Sequence, residues 1–146
     1  MGWKLDEIAT HIAASSLASS SGASGFYLWK GFLPDSTAIA ARAVALVETA
    51  GFAPSQRTGE QIENAGLQLL VRGQSMTDAS TAQEEAKLEI ERITALLGQV
   101  AGQQLSSWHY VGIWAEQSPY FLGMDNADRP LYVCNFRLAR AAPTTS

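Results

Sequence analysis

The chain has a single cysteine, Cys134, in 146 residues. No intramolecular disulfide can form, so folding needs no oxidising compartment, and cytoplasmic synthesis is expected. Histidine is nearly as scarce, with His11 and His109 far apart in sequence. Charged residues make up only 16% of the chain, and ten Lys and Arg stand against fourteen Asp and Glu, a formal net charge of −4. Gripping a nucleic acid requires clustered basic residues to neutralise phosphates, and these ten are scattered. Long hydrophobic runs are also missing. No stretch approaches the roughly 20 apolar residues of a membrane span. The N-terminus, Met1-Gly2-Trp3-Lys4-Leu5-Asp6-Glu7, lacks the basic region and apolar core of a signal peptide.

What is present is a large hydrophobic fraction, 47%, enough for one packed core in a chain of single-domain length. Leu5, Ile8, Ile12 and Leu17 recur at helical spacing with Ala9 and Ala13 beside them, which predicts an amphipathic helix burying one face. A Ser- and Gly-rich loop over 19–25 separates it from the aromatic strand Phe26 to Phe32, stopped by Pro34-Asp35. Ala43 to Glu48 suits either helix or strand, and the Gly51 and Pro54 that follow favour strand. Residues Ala50 to Asn64 are predicted to be a long polar loop, and loops of that length in a compact domain are commonly functional. Leu67, Leu69 and Val71 share one face of the next strand, with Gln68 and Arg72 on the other. Ser75, with Asp78 three residues on, resembles a capping box opening the longest helix, whose Ala79, Ala82, Ala86, Ile90, Ile93 and Leu97 face the sheet and whose Glu84, Glu85, Lys87, Glu89, Glu91 and Arg92 mainly face solvent. Ser107 to Gln117 and Leu131 to Arg140 alternate as strands, the first with Trp108, Tyr110, Gly112 and Trp114 on one side, the second with Tyr132, Cys134, Phe136 and Leu138. The turn cluster Asp125 to Pro130 between them predicts an antiparallel hairpin. The fold class is therefore α+β: a small, mainly antiparallel sheet flanked by an N-terminal helix and one long central helix. Residues 1–140 form one domain, and 141–146 are a flexible tail.

Few residues are equipped for chemistry. A Cys134–His pair would need the fold to unite distant positions, and an apolar strand raises a thiol pKa, so a packed, inert cysteine is the simpler reading. Asp125-Asn126-Ala127-Asp128 spaces oxygen ligands as a calcium loop does but lacks the glycine and the closing glutamate, which leaves a hairpin turn. The paired glutamates of the long helix read as a solvated face, and Gly22, Gly25 and Gly31 lack phosphate-loop spacing. No cofactor and no metal are predicted, and the chain does not read as an enzyme. The aromatic residues suit core and subunit-interface packing better than base stacking, which needs a basic groove.

The order of several motifs carries more than any one of them. Asp6-Glu7-Ile8-Ala9, then Lys30-Gly31-Phe32-Leu33-Pro34-Asp35, Gly66-Leu67-Gln68-Leu69-Leu70-Val71-Arg72-Gly73, Gln117-Ser118-Pro119 with Gly123 and Asp125, and Asn135-Phe136 resemble, in sequence from Leu5 to Leu138, the minor capsid proteins of long-tailed bacteriophages that act as tail terminators or tail completion subunits. The resemblance implies a structural virion protein of the tail and neck, made in the host cytoplasm, whose copies close into a hexameric ring. Such a ring caps the tail tube and offers a surface for head and neck joining. Its implied partners are itself, the tube protein and a neck or connector protein, with DNA passing through the bore unbound. Arg57, Glu60 and Gln61 in the 50–64 loop and Asp125, Asp128 and Arg129 in the turn are the candidate interface residues. Another head–tail connector position is the alternative within the virion, and a small ligand-binding or enzymatic α+β domain the alternative outside it.

Overall fold

A computed structural model describes residues 3–19, 21–22, 25–34, 42–49, 55–57, 60–77 and 80–142, without the side chains of 55–57, 60 and 61. In chain order the elements are α1 (Lys4–Ala14), β1 (Phe26–Lys30), β2 (Arg42–Thr49), β3 (Ser55–Arg57), β4 (Glu60–Arg72), α2 (Ala82–Gly98), β5 (Ala101–Leu105), β6 (Trp108–Ala115), β7 (Tyr120–Met124) and β8 (Pro130–Ala141). The eight strands form one curled, mixed sheet, a half-barrel in the order β1-β2-β4-β8-β6-β5, with β3 on β4 and β7 on β8. Among the described strand pairs β1–β2 is parallel and the others are antiparallel.

The alternation of β4 decides where the core lies. Leu67, Leu69 and Val71 point to one face and stay in register with Leu46 and Val44 of β2 and with Phe136, Cys134 and Tyr132 of β8. Leu5, Ile8 and Ile12 of α1 and Ala86, Ile90, Ile93 and Leu97 of α2 belong to the same buried cluster. Both helices therefore cover one face of the sheet, where burying a large aliphatic side chain contributes about 1.5–3 kcal/mol.

Four expectations are corrected. The segment read as a loop from Ala50 to Asn64 carries strand structure at Ser55–Arg57 and from Glu60 onward. Its side chains are polar, but a ladder is made by backbone groups, and here β3 lies on one edge of β4 while the end of β8 lies on the other. Residues 50–54 and 58–59 lie outside the described set. Helix α2 starts at Ala82, with Thr81 at its N-cap and no side-chain cap bond, not near Ser75. Ser75 Oγ instead accepts from Thr77 N and pairs with Thr77 Oγ1, while Gly73 N and Met76 N donate to Pro130 O and Asp128 O. That segment is thus committed to the β7–β8 turn and cannot wind; Asp78 and Ala79 are outside the described residues. Glu89 is buried, not solvated, and burial raises its pKa despite Arg92, the Ala18 amide and Arg42.

The fourth correction concerns β6. Its pairing with β8 slips between Tyr110 and Gly112, so Val111 is an extra, bulged residue. A bulge shifts the alternation by one. Tyr110 and Ile113 both face the core, and Trp114 turns out to solvent on the opposite side. β6 and β8 do pair antiparallel as expected, but the 125–129 turn closes a hairpin of β7 on β8, because Tyr120–Met124, not expected as a strand, continues along the same edge of β8 as β7.

Candidate assembly interface

The candidate residues fall into two groups that the fold holds far apart. Arg57 and Glu60 are cross-strand partners at the head of the β3–β4 hairpin, and Gln61 pairs with Gln56 next to them. This hairpin lies where Ile62 meets Ala141, the last residue of β8. Asp125, Asp128 and Arg129 occupy the turn leading into Pro130, the first residue of β8. Twelve strand residues intervene, roughly 37 Å at about 3.4 Å per residue.

The turn is built around one carboxylate. Asp125 Oδ1 accepts from Ala127 N at 2.9 Å and Arg129 N at 3.0 Å, and Oδ2 accepts from Arg129 Nε at 2.7 Å. Backbone bonds from Asp125 N to Arg129 O and from Asp128 N to Asp125 O close the loop, with Asp128 at φ 56° in the left-handed region that Asp tolerates. Arg129 is only 2% exposed. Asp125 and Arg129 therefore fix the turn from within, and Asp128 is the member turned to solvent. Gly73 brings the end of β4 against this turn, for a Cβ there would lie 2.8 Å from Ala82 O and 2.9 Å from Pro130 Cγ.

Burial raises the Asp125 pKa, but the amides of Arg129 and Ala127 and the Arg129 guanidinium outweigh it and leave it below the ordinary carboxylate value. An acid with a lowered folded pKa stabilises the fold above its unfolded pKa and loses that contribution as pH falls through the folded value. Asp125→Ala should cost about 1–3 kcal/mol at pH 7 by stranding the turn amides. The gap from wild type, measured by urea unfolding, should narrow below about pH 4. A gap that stays constant from pH 7 to pH 3 would contradict this reading of the turn.

A third cluster is one that sequence reasoning did not find. Arg140 of β8 donates from Nη1 to Glu7 Oε1 of α1 at 2.8 Å and from Nε to Glu63 Oε2 of β4 at 2.9 Å. Tyr110 donates to the same Glu7 oxygen at 2.8 Å, and Lys4 donates to Glu63 at 2.8 Å. The Arg140 guanidinium lies 3.8 Å from the centre of the Trp108 ring, a cation–π distance. Burial, then the Glu7 carboxylate, pushes the Tyr110 hydroxyl up, while Glu63 is lowered because Lys4 and Arg140 outweigh its burial. Lys4, Glu7, Glu63 and Arg140 pair with one another, while Glu7 Oε2 is buried without a hydrogen-bond partner, so the cluster ties α1 to three strands. No local spacing announces it, since its members come from positions 4, 7, 63, 108, 110 and 140.

Cys134 is fully buried, its Sγ lies 3.3 Å from Gln117 O, and burial raises its pKa, all of which oppose thiolate chemistry. His109 pairs with Ala141, seven residues along β8 from Cys134, and His11 is on α1. Among the described residues no group of three or more His, Cys, Asp or Glu is placed to hold a metal. An open groove beside Trp114 has Glu116 and Arg137 on its rim, 3.7 Å apart.

Large apolar side chains are exposed along β7, where Tyr120, Phe121, Leu122 and Met124 all face solvent. The signal was present in the sequence as a run of bulky residues between Pro119 and Asp125 that ignores strand alternation.

A family model described as "Bacteriophage tail terminator protein" matches residues 12–141. A solved structure titled "Virion of native gene transfer agent (GTA) particle" contains a chain with a TM-score of 0.64 and 16% identity, covering 92% of each chain. At that identity the likeness concerns the fold. No curated protein matches the sequence.

Proposed function

Because the chain belongs to the bacteriophage tail terminator family, structural proteins of the virion tail, we propose that copies of it close into a hexameric ring that caps the tail tube at its head-proximal end and presents a surface to the neck. The observation that carries this reading is the extent of the family match, which takes in all eight strands and both candidate groups. Identical subunits joined through two different patches build either open filaments or closed rings, and a cap must close. The excess of acidic residues suits a bore that DNA traverses without being held, because a basic lining would retain it by displacing its counterions.

The roughly 37 Å between the β3–β4 hairpin and the 125–129 turn, taken along β8 at about 3.4 Å per residue, supports a two-sided subunit. In this reading Arg57, Glu60 and Gln61 meet the tube protein, and Asp128, on a turn stiffened by Asp125 and Arg129, faces a neck or connector protein. The hairpin suits such a role because, among the described residues, β3 pairs with β4 alone. Replacing residues 55–60 with a short Gly-Ser linker should therefore leave a cooperatively folded subunit with a melting temperature close to wild type. Phage carrying this version should yield tails of abnormal length or tails without heads in electron micrographs. Loss of folding, or normal head-joined tails, would overturn the assignment of the hairpin.

A further inference from the structure

We infer that neighbouring subunits of the ring join head to tail through the two opposite ends of the sheet, the β7 end of one copy against the β1 end of a second copy. This rests on the ring reading above and names the surfaces that make it. Among the described residues ten large hydrophobic side chains are exposed, and seven of them divide between these two ends. Tyr120, Phe121, Leu122 and Met124 lie on β7, which pairs with β8 on one edge and with no other strand among the described residues. Trp3, Tyr27 and Phe32 lie at the other end: Tyr27 on β1, Phe32 in ring contact with Trp29 at 5.9 Å, and Trp3 bonded through Nε1 to Glu48 with Lys30 6.0 Å from its ring. The remaining three are Leu88 on α2 and Val111 and Trp114 on β6.

Both ends are held in place by their own packing. Phe121 leans on the buried Tyr132 ring at 5.4 Å. The pairing of β7 with β8 slips between Phe121 and Gly123, so Leu122 is the inserted residue and projects, 56% exposed, while Gly123 takes φ 141°. At the far end, Phe32 is 58% exposed. Preformed, fixed apolar side chains lower the entropic cost of association.

Neither end invites endless strand addition. The bulge interrupts the β7 edge, and the outer edge of β1 already carries Ser19, which accepts from Leu28 N and donates to Phe26 O. Recognition must then run through side chains. A second copy is the fitting occupant because one chain carries both halves of the contact at opposite ends of its sheet, which is what a head-to-tail interface requires. A two-fold dimer would need one patch that meets itself. Four strand spacings separate β1 from β7, about 19 Å at about 4.8 Å each, so one subunit can hold two neighbours at once.

Cysteine cross-linking of the full chain tests the pairing. Leu122→Cys and Phe32→Cys, combined in one chain and treated with a short bis-maleimide, should give a ladder of covalent oligomers on denaturing gels, in concentrated solution and in assembled tails. Each single variant should stay monomeric on the gel, since Cys134 is buried. A dimer from Leu122→Cys alone would show the β7 patch meeting itself and overturn the inference. So would an equally strong ladder when Phe32→Cys is replaced by Leu88→Cys, which lies at neither end. If cryo-electron microscopy shows rings of the wild-type protein at tail ends and the double variant gives no ladder, the pairing falls and the ring stands. If no ring is found there, both fall.

Discussion

Leu69→Asp is expected to abolish folding. Leu69 has no exposed surface and sits on the central strand β4, in register with Leu46 on one side and Cys134 on the other, inside the cluster that both helices cover. The substitution removes about 1.5–3 kcal/mol of apolar burial. It also places a carboxyl inside an apolar cluster, which adds several kcal/mol whether the group ionises or is forced to stay protonated. Domains of this size are stable by only about 5–15 kcal/mol, so the sum consumes most of that margin. The variant should be recovered largely insoluble, or lack near-ultraviolet circular dichroism and a cooperative melt. Leu88→Asp, on the exposed side of α2 at 47% exposure, should change stability by no more than about 0.5 kcal/mol. A cooperative, wild-type-like melt for Leu69→Asp would refute the placement of the core.

The second large effect concerns Arg140. Arg140→Met keeps much of the side-chain volume but leaves Glu7, which is 4% exposed, and the half-buried Glu63 without their guanidinium. Removing one partner of a buried ion pair costs about 3–5 kcal/mol, because the remaining charge stays desolvated. The deficit should appear as a lowered urea midpoint with an unchanged slope. It should also depend on pH. Glu63 has a lowered folded pKa, so its contribution in the wild type is present above its unfolded pKa and is lost as pH falls through the folded value. In the variant that contribution is largely gone, so the two curves should converge below about pH 4. Adding Glu7→Gln to Arg140→Met should recover part of the loss. A single variant within about 1 kcal/mol of wild type would mean the cluster contributes little beyond its packing.

Much of this fold is legible wherever side-chain periodicity and burial agree. Leu67, Leu69 and Val71, the row Tyr132 to Leu138, and the α1 stripe of Leu5, Ile8 and Ile12 all face the core as their spacing predicts. The failures occur where the backbone decides. Gly112 is the kind of residue that accompanies a bulge, but alternation alone does not register the extra Val111 beside it, which reverses the side on which Trp114 emerges. Glu60 to Asn64 is polar enough to read as loop, but two neighbouring strands supply its ladder. Ser75 has the chemistry of a helix cap, and its segment is claimed first by carbonyls of the β7–β8 turn. In the candidate interface, Asp125 to Arg129 is recognisable as a turn, but the inward path of Arg129 depends on the Asp125 carboxylate behind it. The Glu7–Glu63–Arg140 contacts join residues up to 133 positions apart, and no local pattern encodes such a meeting.

The position of β8 has a consequence for how the subunit is made. It is the last of the eight strands to leave the ribosome, yet it lies between β4 on one edge and β6 with β7 on the other. Until it arrives, the sheet exists only as two pieces, β1-β2-β4-β3 and β5-β6, each with an apolar face and an unsatisfied edge. Every pairing that welds them is long-range, which makes the final step slow compared with forming either hairpin. A nascent chain is therefore exposed to chaperones and proteases until synthesis has passed this strand, and only then does the protein acquire the shape that other subunits can recognise.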